Sequence, residues 1–382
     1  MNSELPFEDR LLASSASCKN EPFITVAIPH YKQRRYLEVA LASLFEQNYD
    51  DFEILVSDDK SPDDSSAIIP PLLKASGCSF RYYAQPSNLG YDGNVRFCLS
   101  AAKGRYVFLL GNDDALGGPT TLQNVANTLR QLNMPEVAFT SFADFGTGVV
   151  TRRAQGTRLL GTGPNTAIRL FRAFSFVSGL IFDRAAASQH ETNRWDQSIY
   201  YQFYLACRII ATGGQVAALD ICAVRQYVRI AGQKAPGTSP WTTVGWSLEP
   251  RYTGLDSVIR VTADAVLPLL PQEMHSATLR RIISQILTVS YPNALFHYRG
   301  TANWSFAVGV ARRMWPGILL AEYRLPYRDR LYPEYRLLYR DRLYLWILYL
   351  SVTLAGLIVP TALFNRLRWR LSDFVQRRQQ AT

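Results

Sequence analysis

The sequence predicts an α/β fold: a mainly parallel sheet with helices on both faces, followed by a helical C-terminal region with a membrane-associated helix. Three observations carry this expectation. From Phe23 to Thr140, short apolar, β-branched runs alternate with stretches of helical periodicity, the pattern of βαβ units. Residues 231–254 are rich in Gly, Pro, Ser and Thr and mark a boundary before later helical stretches. Leu343–Asn365 then runs for 23 residues without a charge, 17 of them apolar, about 35 Å of helix and enough to cross a bilayer.

Along the chain, residues 1–21 lack periodicity and read as a flexible tail. Phe23–Ile28 predicts the first strand, stopped by Pro29, and Tyr36, Leu37, Ala40, Leu41, Leu44 and Phe45 recur at helical spacing. Strands are predicted at Phe52–Val56, Phe80–Tyr83, Tyr106–Leu110, Val137–Thr140 and Phe176–Phe182. Helices are predicted at Val95–Ala102, Thr120–Leu132, Ile199–Ala211, Val258–Leu270 and Leu279–Val289. The expected domains are a tail at 1–21, a catalytic domain at 22–230, a loop and helical extension at 231–321, and a terminal segment at 322–382. That last segment opens on a local duplication, EYRLPYRDRLYP followed by EYRLLYRDRLYL, identical at 10 of 12 positions.

The 382 residues are 48% hydrophobic and 19% charged, a globular composition that excludes disordered and collagenous chains. The length suffices for a full core without metal or disulfide staples. The net charge of +10 is uneven: from Arg299 onward 14 Arg face 5 acids, whereas residues 1–298 hold 27 basic and 26 acidic residues. A basic tail suits anionic lipid or nucleic acid. No nucleic-acid-binding motif accompanies it, so nucleic acid is not expected as a partner. Cys18, Cys78, Cys98, Cys207 and Cys222 are odd in number and lack metal-ligand spacing, which points to a reducing compartment. No signal peptide is expected at the polar N-terminus.

Two acidic pairs stand at strand ends: Asp58-Asp59 and Asp113-Asp114. In parallel sheets ligands bind beyond the carboxyl ends of strands. Adjacent carboxylates there repel unless a cation or donor intervenes. Oxygen-only ligands suit Mg²⁺ or Mn²⁺, which share their shell with phosphate oxygens. Asx-turns and helix N-caps are the alternative use of such acids.

The order Ile-Pro-His-Tyr (28–31), Val-Ser-Asp-Asp-Lys-Ser-Pro-Asp (56–63), Asn-Leu-Gly (88–90) and Leu-Gly-Asn-Asp-Asp (110–114) resembles the family 2 glycosyltransferases of the glycosyltransferase A fold. The resemblance spans roughly residues 22–220. It implies that Pro29 and Tyr31 line a nucleotide pocket, that Asp59 hydrogen-bonds the base with Asp58 supporting its loop, and that Asn88 and Gly90 shape the ribose side. It further implies that Asp113 lies near ribose and sugar, and that Asp114, with Asp113, holds the Mg²⁺ or Mn²⁺ that bridges the donor diphosphate. His30 falls inside the implied pocket. The stretch Asn88–Asn94, with Gly-Asn-Asp-Asp downstream, is similar to the bacterial surface-polysaccharide branch, including abequosyl-type transferases.

Two departures stand out. Many members carry an acid where Gly111 stands. The family's base often comes from an acidic pair about seven residues before a late-helix Arg; counting back from Arg208 reaches Tyr201-Gln202 instead. Asp196 is the nearest carboxylate, and Asp144 is the second candidate. The resemblance thus implies an inverting, metal-dependent enzyme that transfers sugar from a nucleotide diphosphate sugar; with the apolar, Arg-flanked tail, the expected acceptor is a lipid-linked saccharide at the cytoplasmic face of the bacterial inner membrane. The missing acidic pair keeps a second expectation open, a non-catalytic scaffold that binds nucleotide sugar. For the uncharged 23-mer, spanning the bilayer, lying in its interface and packing as a soluble helix all remain open.

Overall fold

The computed structural model describes residues 7–15, 21–230, 232, 255–301, 304–314, 337–360, 362, 363 and 366. The chain divides into two compact units, Met1–Gly245 and Trp246–Thr382.

The first unit is built on one sheet of eleven strands: β1 Leu11–Ser14, β2 Ile24–His30, β3 Phe52–Asp58, β4 Phe80–Ala84, β5 Tyr106–Leu109, β6 Ala115–Leu116, β7 Val137–Asp144, β8 Val150–Thr151, β9 Arg158–Gly161, β10 Leu180–Asp183 and β11 Val216–Gln226. The order is β1-β4-β3-β2-β5-β10-β7-β11-β6, with β8 added to β7 and β9 to β11. Strands β4, β3, β2 and β5 are mutually parallel, whereas β10 enters antiparallel between β5 and β7. The expected mainly parallel sheet is therefore present at β4-β3-β2-β5 and β7-β11, with β10 inserted antiparallel and the short strands β1, β6, β8 and β9 added antiparallel.

The strands at the centre are buried on both faces, as continuous apolar runs require. All of β3 is buried, and so is β2 apart from the half-buried Pro29. Helix Arg34–Phe45 buries Tyr36, Leu37, Ala40, Leu41 and Leu44, the stripe anticipated from their spacing. Helix Thr121–Gln131 likewise buries Leu122, Val125, Ala126 and Leu129. At the amino-terminal edge a fully buried Glu53 accepts from the Arg81 guanidinium at 2.6 and 3.0 Å, the Thr25 hydroxyl at 2.6 Å and the Lys103 backbone at 3.0 Å. A buried ion pair survives only when its lone pairs are filled in this way.

Several elements differ from expectation. Within the expected loose tail, Leu11–Ser14 adds an antiparallel edge strand to β4; backbone pairing along an open edge orders a segment with no hydrophobic period of its own. Helix Ser65–Ala75 and strand β11 had no forecast. Pro70 and Pro71 inside the former obscure its signal, and the exposed Asp220 and Cys222 interrupt the alternation of the latter.

In the second unit, helices run at Leu255–Val266, Gln272–Gln285, Tyr291–Thr301, Trp304–Arg313 and Tyr339–Ile358, with a π-helical stretch at Ile286–Ser290. Among the described residues, Tyr339–Ile358 alone is long and apolar enough to cross a membrane by length and composition. The boundary expected at 231–254, Gly232 apart, and the duplicated segment up to residue 336 lie outside the described residues.

Candidate active site

Strand β2 is where the order reverses, with β3 on one side and β5 on the other. A crevice forms beyond the carboxyl ends at such a switch point. His30 closes β2 there and is fully buried. Its Nδ1 accepts from the Asn112 amide at 3.0 Å, and its Nε2 meets the Ser65 hydroxyl at 2.8 Å. The ring therefore ties the loop after β5 to the helix after β3. Burial lowers its pKa to about 4 against the pull of Asp58 and Asp63, so the imidazole is neutral, with Nε2 carrying the proton. Tyr31 follows, exposed, with the Lys32 ammonium 4.9 Å from its ring centroid. Lys32 and Gln33 are left-handed at φ 60° and 65°, an unfavourable conformation for side-chain-bearing residues. The Ser61 hydroxyl, accepting from Lys32 N at 2.8 Å, and the Asn112 amide, donating to Lys32 O at 3.1 Å, hold the turn in place.

The first acidic pair divides its work. Asp58 accepts from the Tyr82 hydroxyl at 2.6 Å and from Ser61 N at 2.8 Å, so it anchors the loop. Asp59 accepts from Leu89 N at 2.5 Å, and its own carbonyl accepts from the Asn88 amide at 3.1 Å. Asn88 in turn accepts from Gly90 N at 3.0 Å, and Gly90 takes the left-handed φ of +74° that glycine tolerates. Asp59, Asn88 and Gly90 thus form one connected corner. Burial raises the Asp59 carboxyl to about 6 against its backbone donors.

The second pair follows β5. Asp114 is buried; its Oδ2 accepts from the Ser178 hydroxyl at 2.5 Å and its Oδ1 from Tyr227 N at 3.0 Å. Because β10 is antiparallel to β5, the residues before β10 meet the end of β5, which brings Ser178 to this edge. Gly179 at φ +79° makes that turn, where a Cβ would fall 2.2 Å from Thr140 Oγ1. Burial raises both carboxyls, and Asp113 raises Asp114 further. Arg153 offsets part of this; it is half-buried, its guanidinium carbon 5.3 Å from the centroids of both the Phe142 and Phe176 rings, and desolvation lowers it to about 9. A Cβ at Gly111 would lie 3.1 Å from Asp113 Oδ1 and 3.2 Å from Asp114 Oδ2, so the two carboxylates converge on the position left free by glycine.

This donor set fits a divalent cation. Two adjacent carboxylates, Asp114 buried and Asp113 half-buried, with oxygens turned to one point are costly without further positive charge. Among the described residues no group of three or more His, Cys, Asp or Glu gathers as metal ligands. Mg²⁺ is commonly held by one or two carboxylates together with phosphate oxygens and waters, which this pair would match.

On the far side, helix Gly90–Ala101 presents Asp92 and Arg96. Asp92 accepts from Ile199 N at 2.6 Å and Tyr201 N at 3.0 Å, capping helix Tyr201–Ala211 from another element. Burial raises its carboxyl to about 7. Asp196 pairs with Arg96 at 2.8 Å. Asp144, the last residue of β7, accepts from the backbone of Gly146 and Thr147 and from the Thr147 hydroxyl, which hold its carboxyl below the usual range. Reading the sequence missed Ser178, Arg153, Asp92 and Tyr227. Ser178, Arg153 and Tyr227 reach the site through loops distant in sequence, whereas Asp92 stands on helix Gly90–Ala101 inside a quoted motif.

Residues 25–186 match the model of Glycosyl transferase family 2. That segment is a family 2 glycosyltransferase domain. Over 108 residues the chain is 34% identical to the GalNAc(5)-diNAcBac-PP-undecaprenol beta-1,3-glucosyltransferase of Campylobacter jejuni, covering 28% of this chain and 35% of that protein. Over 95 residues it is 35% identical to the abequosyltransferase RfbV of Salmonella typhimurium, covering 24% of this chain and 28% of that protein. These matches span about a third of the relatives' length. Staphylococcus aureus TarS 1–349 in complex with UDP superposes with a TM-score of 0.56 at 16% identity, over 87% of this chain and 90% of that chain. At that identity the likeness concerns the fold, and the glycosyltransferase A arrangement implied by the motifs is the fold observed.

Proposed function

We propose that the protein is an inverting glycosyltransferase of bacterial cell-surface polysaccharide synthesis, moving a sugar from a nucleotide diphosphate sugar to a hydroxyl of a lipid-linked saccharide. The observation that carries this reading is the convergence of Asp113 and Asp114 beside the Asp59–Asn88–Gly90 corner at the switch point. Residues 22–230 form the catalytic domain, 231–321 an extension and 322–382 a terminal membrane-associated segment.

In this reading Asp59 hydrogen-bonds the base, Asp58 fixes its loop, Pro29 and Tyr31 line the nucleotide, and Asn88 and Gly90 border the ribose. Asp114, with Asp113, holds Mg²⁺ or Mn²⁺, which when bound supplies positive charge to the diphosphate leaving group. Ser178 and the Tyr227 backbone orient Asp114. Asp196 is the carboxylate that takes the acceptor hydroxyl's proton, since Asp144 is tied into its turn and made a weaker base. The name of the Campylobacter relative, which acts on a PP-undecaprenol saccharide, supports the lipid-linked acceptor; work at the cytoplasmic face of the bacterial inner membrane is part of the same proposal.

A second reading, a nucleotide-sugar-binding scaffold without turnover, is favoured by one observation: Asp196 is engaged by Arg96 where the late helix opens on Tyr201-Gln202 rather than acids. Hydrolysis of a panel of nucleotide sugars by the wild type and Asp114→Ala, with and without Mn²⁺, separates the readings. Slow metal-dependent release of one nucleotide diphosphate, lost in the variant, supports the enzyme. Binding without release, even with lipid-linked saccharide present, supports the scaffold.

A further inference from the structure

We propose that helix Tyr339–Ile358 docks the protein in the plane of an anionic bilayer and does not cross it. The inference rests on the membrane association proposed above and assigns its geometry and its surface.

Length and composition permit this helix to span. Its inner face argues otherwise. Near its start, Asp341 is buried, accepts from the Ser276 hydroxyl at 2.6 Å and pairs with Arg280 at 3.4 Å. Midway, the Tyr349 hydroxyl donates to the Ala311 carbonyl at 2.6 Å, and the Tyr349 ring stacks on Tyr291 with centroids 5.9 Å apart. Further on, Thr353 meets the Tyr291 hydroxyl at 2.8 Å. At its end, Arg299 donates to the carbonyls of Gly356 and Val359 at 2.6 and 2.7 Å. A Cβ at Gly356 would fall 2.7 Å from Leu295 Cδ1, so the backbones are close there.

The helix is therefore clamped along its whole length to Gln272–Gln285, Tyr291–Thr301 and Trp304–Arg313. The first of these carries Gln272, Glu273, Arg280, Arg281 and Gln285, and none of the three is long and apolar enough to span. A helix that crosses must either drag these charges into hydrocarbon or break every one of those bonds, and both are costly.

Its outer face has the opposite character. Leu343, Ile347, Leu350, Leu354 and Ile358 are all exposed. At 3.6 residues per turn they fall within about 80° of helix surface, an uninterrupted apolar stripe over four turns. Arg340 and Arg342 near one end and Arg366 beyond the other are exposed, in a stretch with 14 Arg against 5 acids. An apolar stripe between cationic ends is the pattern of a helix lying at the headgroup boundary, with Arg on lipid phosphate.

The test is flotation of the full chain with vesicles of phosphatidylcholine alone or mixed with phosphatidylglycerol, together with alkaline carbonate extraction of cell membranes. The expected results are salt-sensitive binding to the anionic vesicles and release by carbonate. The triple variant Ile347→Ser, Leu354→Ser, Ile358→Ser should lose binding at least tenfold while nucleotide binding by the first unit is unchanged. Retention after carbonate overturns in-plane docking and leaves membrane association standing. Failure to bind either vesicle overturns both. A dimer that the triple variant dissolves, with vesicle binding unaltered, assigns the stripe to a second copy of the chain and overturns the proposal.

Discussion

The Nδ1 of His30 accepts a hydrogen bond from the Asn112 side chain at 3.0 Å. With Ser65 on the other nitrogen, one neutral ring ties the loop that carries Asp113-Asp114 to the start of the helix that follows Asp58-Asp59.

That arrangement is pH-sensitive in a defined direction. The folded pKa of His30 is lowered from 6.5 to about 4. Below pH 6.5 the unfolded chain takes up a proton that the folded chain refuses, so stability falls as pH drops through 6.5 toward 4. The full loss from this group is about 3 kcal/mol. Denaturant unfolding of wild type and His30→Gln between pH 8 and 4 should show a flatter profile for the variant; equal slopes would contradict the bridging role.

Much of this site was legible from the chain. The strands that lead to Pro29, Asp58-Asp59 and Asp113-Asp114 are short apolar runs, and acids just beyond them stand out because burial is expected there. Ser178 and Arg153 were invisible, since the antiparallel entry of β10 is a tertiary choice that periodicity does not encode. A helix ending at Ala211 was readable, though expected from Ile199 and observed from Tyr201; its cap was not, because Asp92 lies on another helix.

Ser178→Ala removes the hydroxyl that orients Asp114. Removing a group that positions a ligand costs about 10–100-fold in metal affinity or activity. Nucleotide release should fall by about that factor at limiting Mn²⁺ and recover in part at high Mn²⁺. No dependence on metal concentration would separate Ser178 from the metal-holding role.

Asp196→Asn should lower transfer to acceptor by about 10²-fold or more with nucleotide affinity within twofold of wild type. Asp144→Asn should leave transfer nearly unchanged. The reverse pattern in steady-state assays would move the base to Asp144.

Glu53→Ala strips the carboxylate from the buried Arg81. An uncompensated buried charge costs about 3–5 kcal/mol, so the chemical denaturation midpoint should fall sharply. A loss below about 1 kcal/mol would mean that Arg81 finds water or another partner.

The central claim is that Asp113 and Asp114 hold a cation against a nucleotide diphosphate. Calorimetric titration of nucleoside diphosphates into wild type and Asp114→Asn, with and without Mn²⁺, tests it most directly. The account predicts binding by the wild type that Mn²⁺ strengthens at least tenfold, with the Mn²⁺ effect abolished in the variant. Tight binding indifferent to Mn²⁺ in both proteins, or no binding of any nucleoside diphosphate, would contradict it.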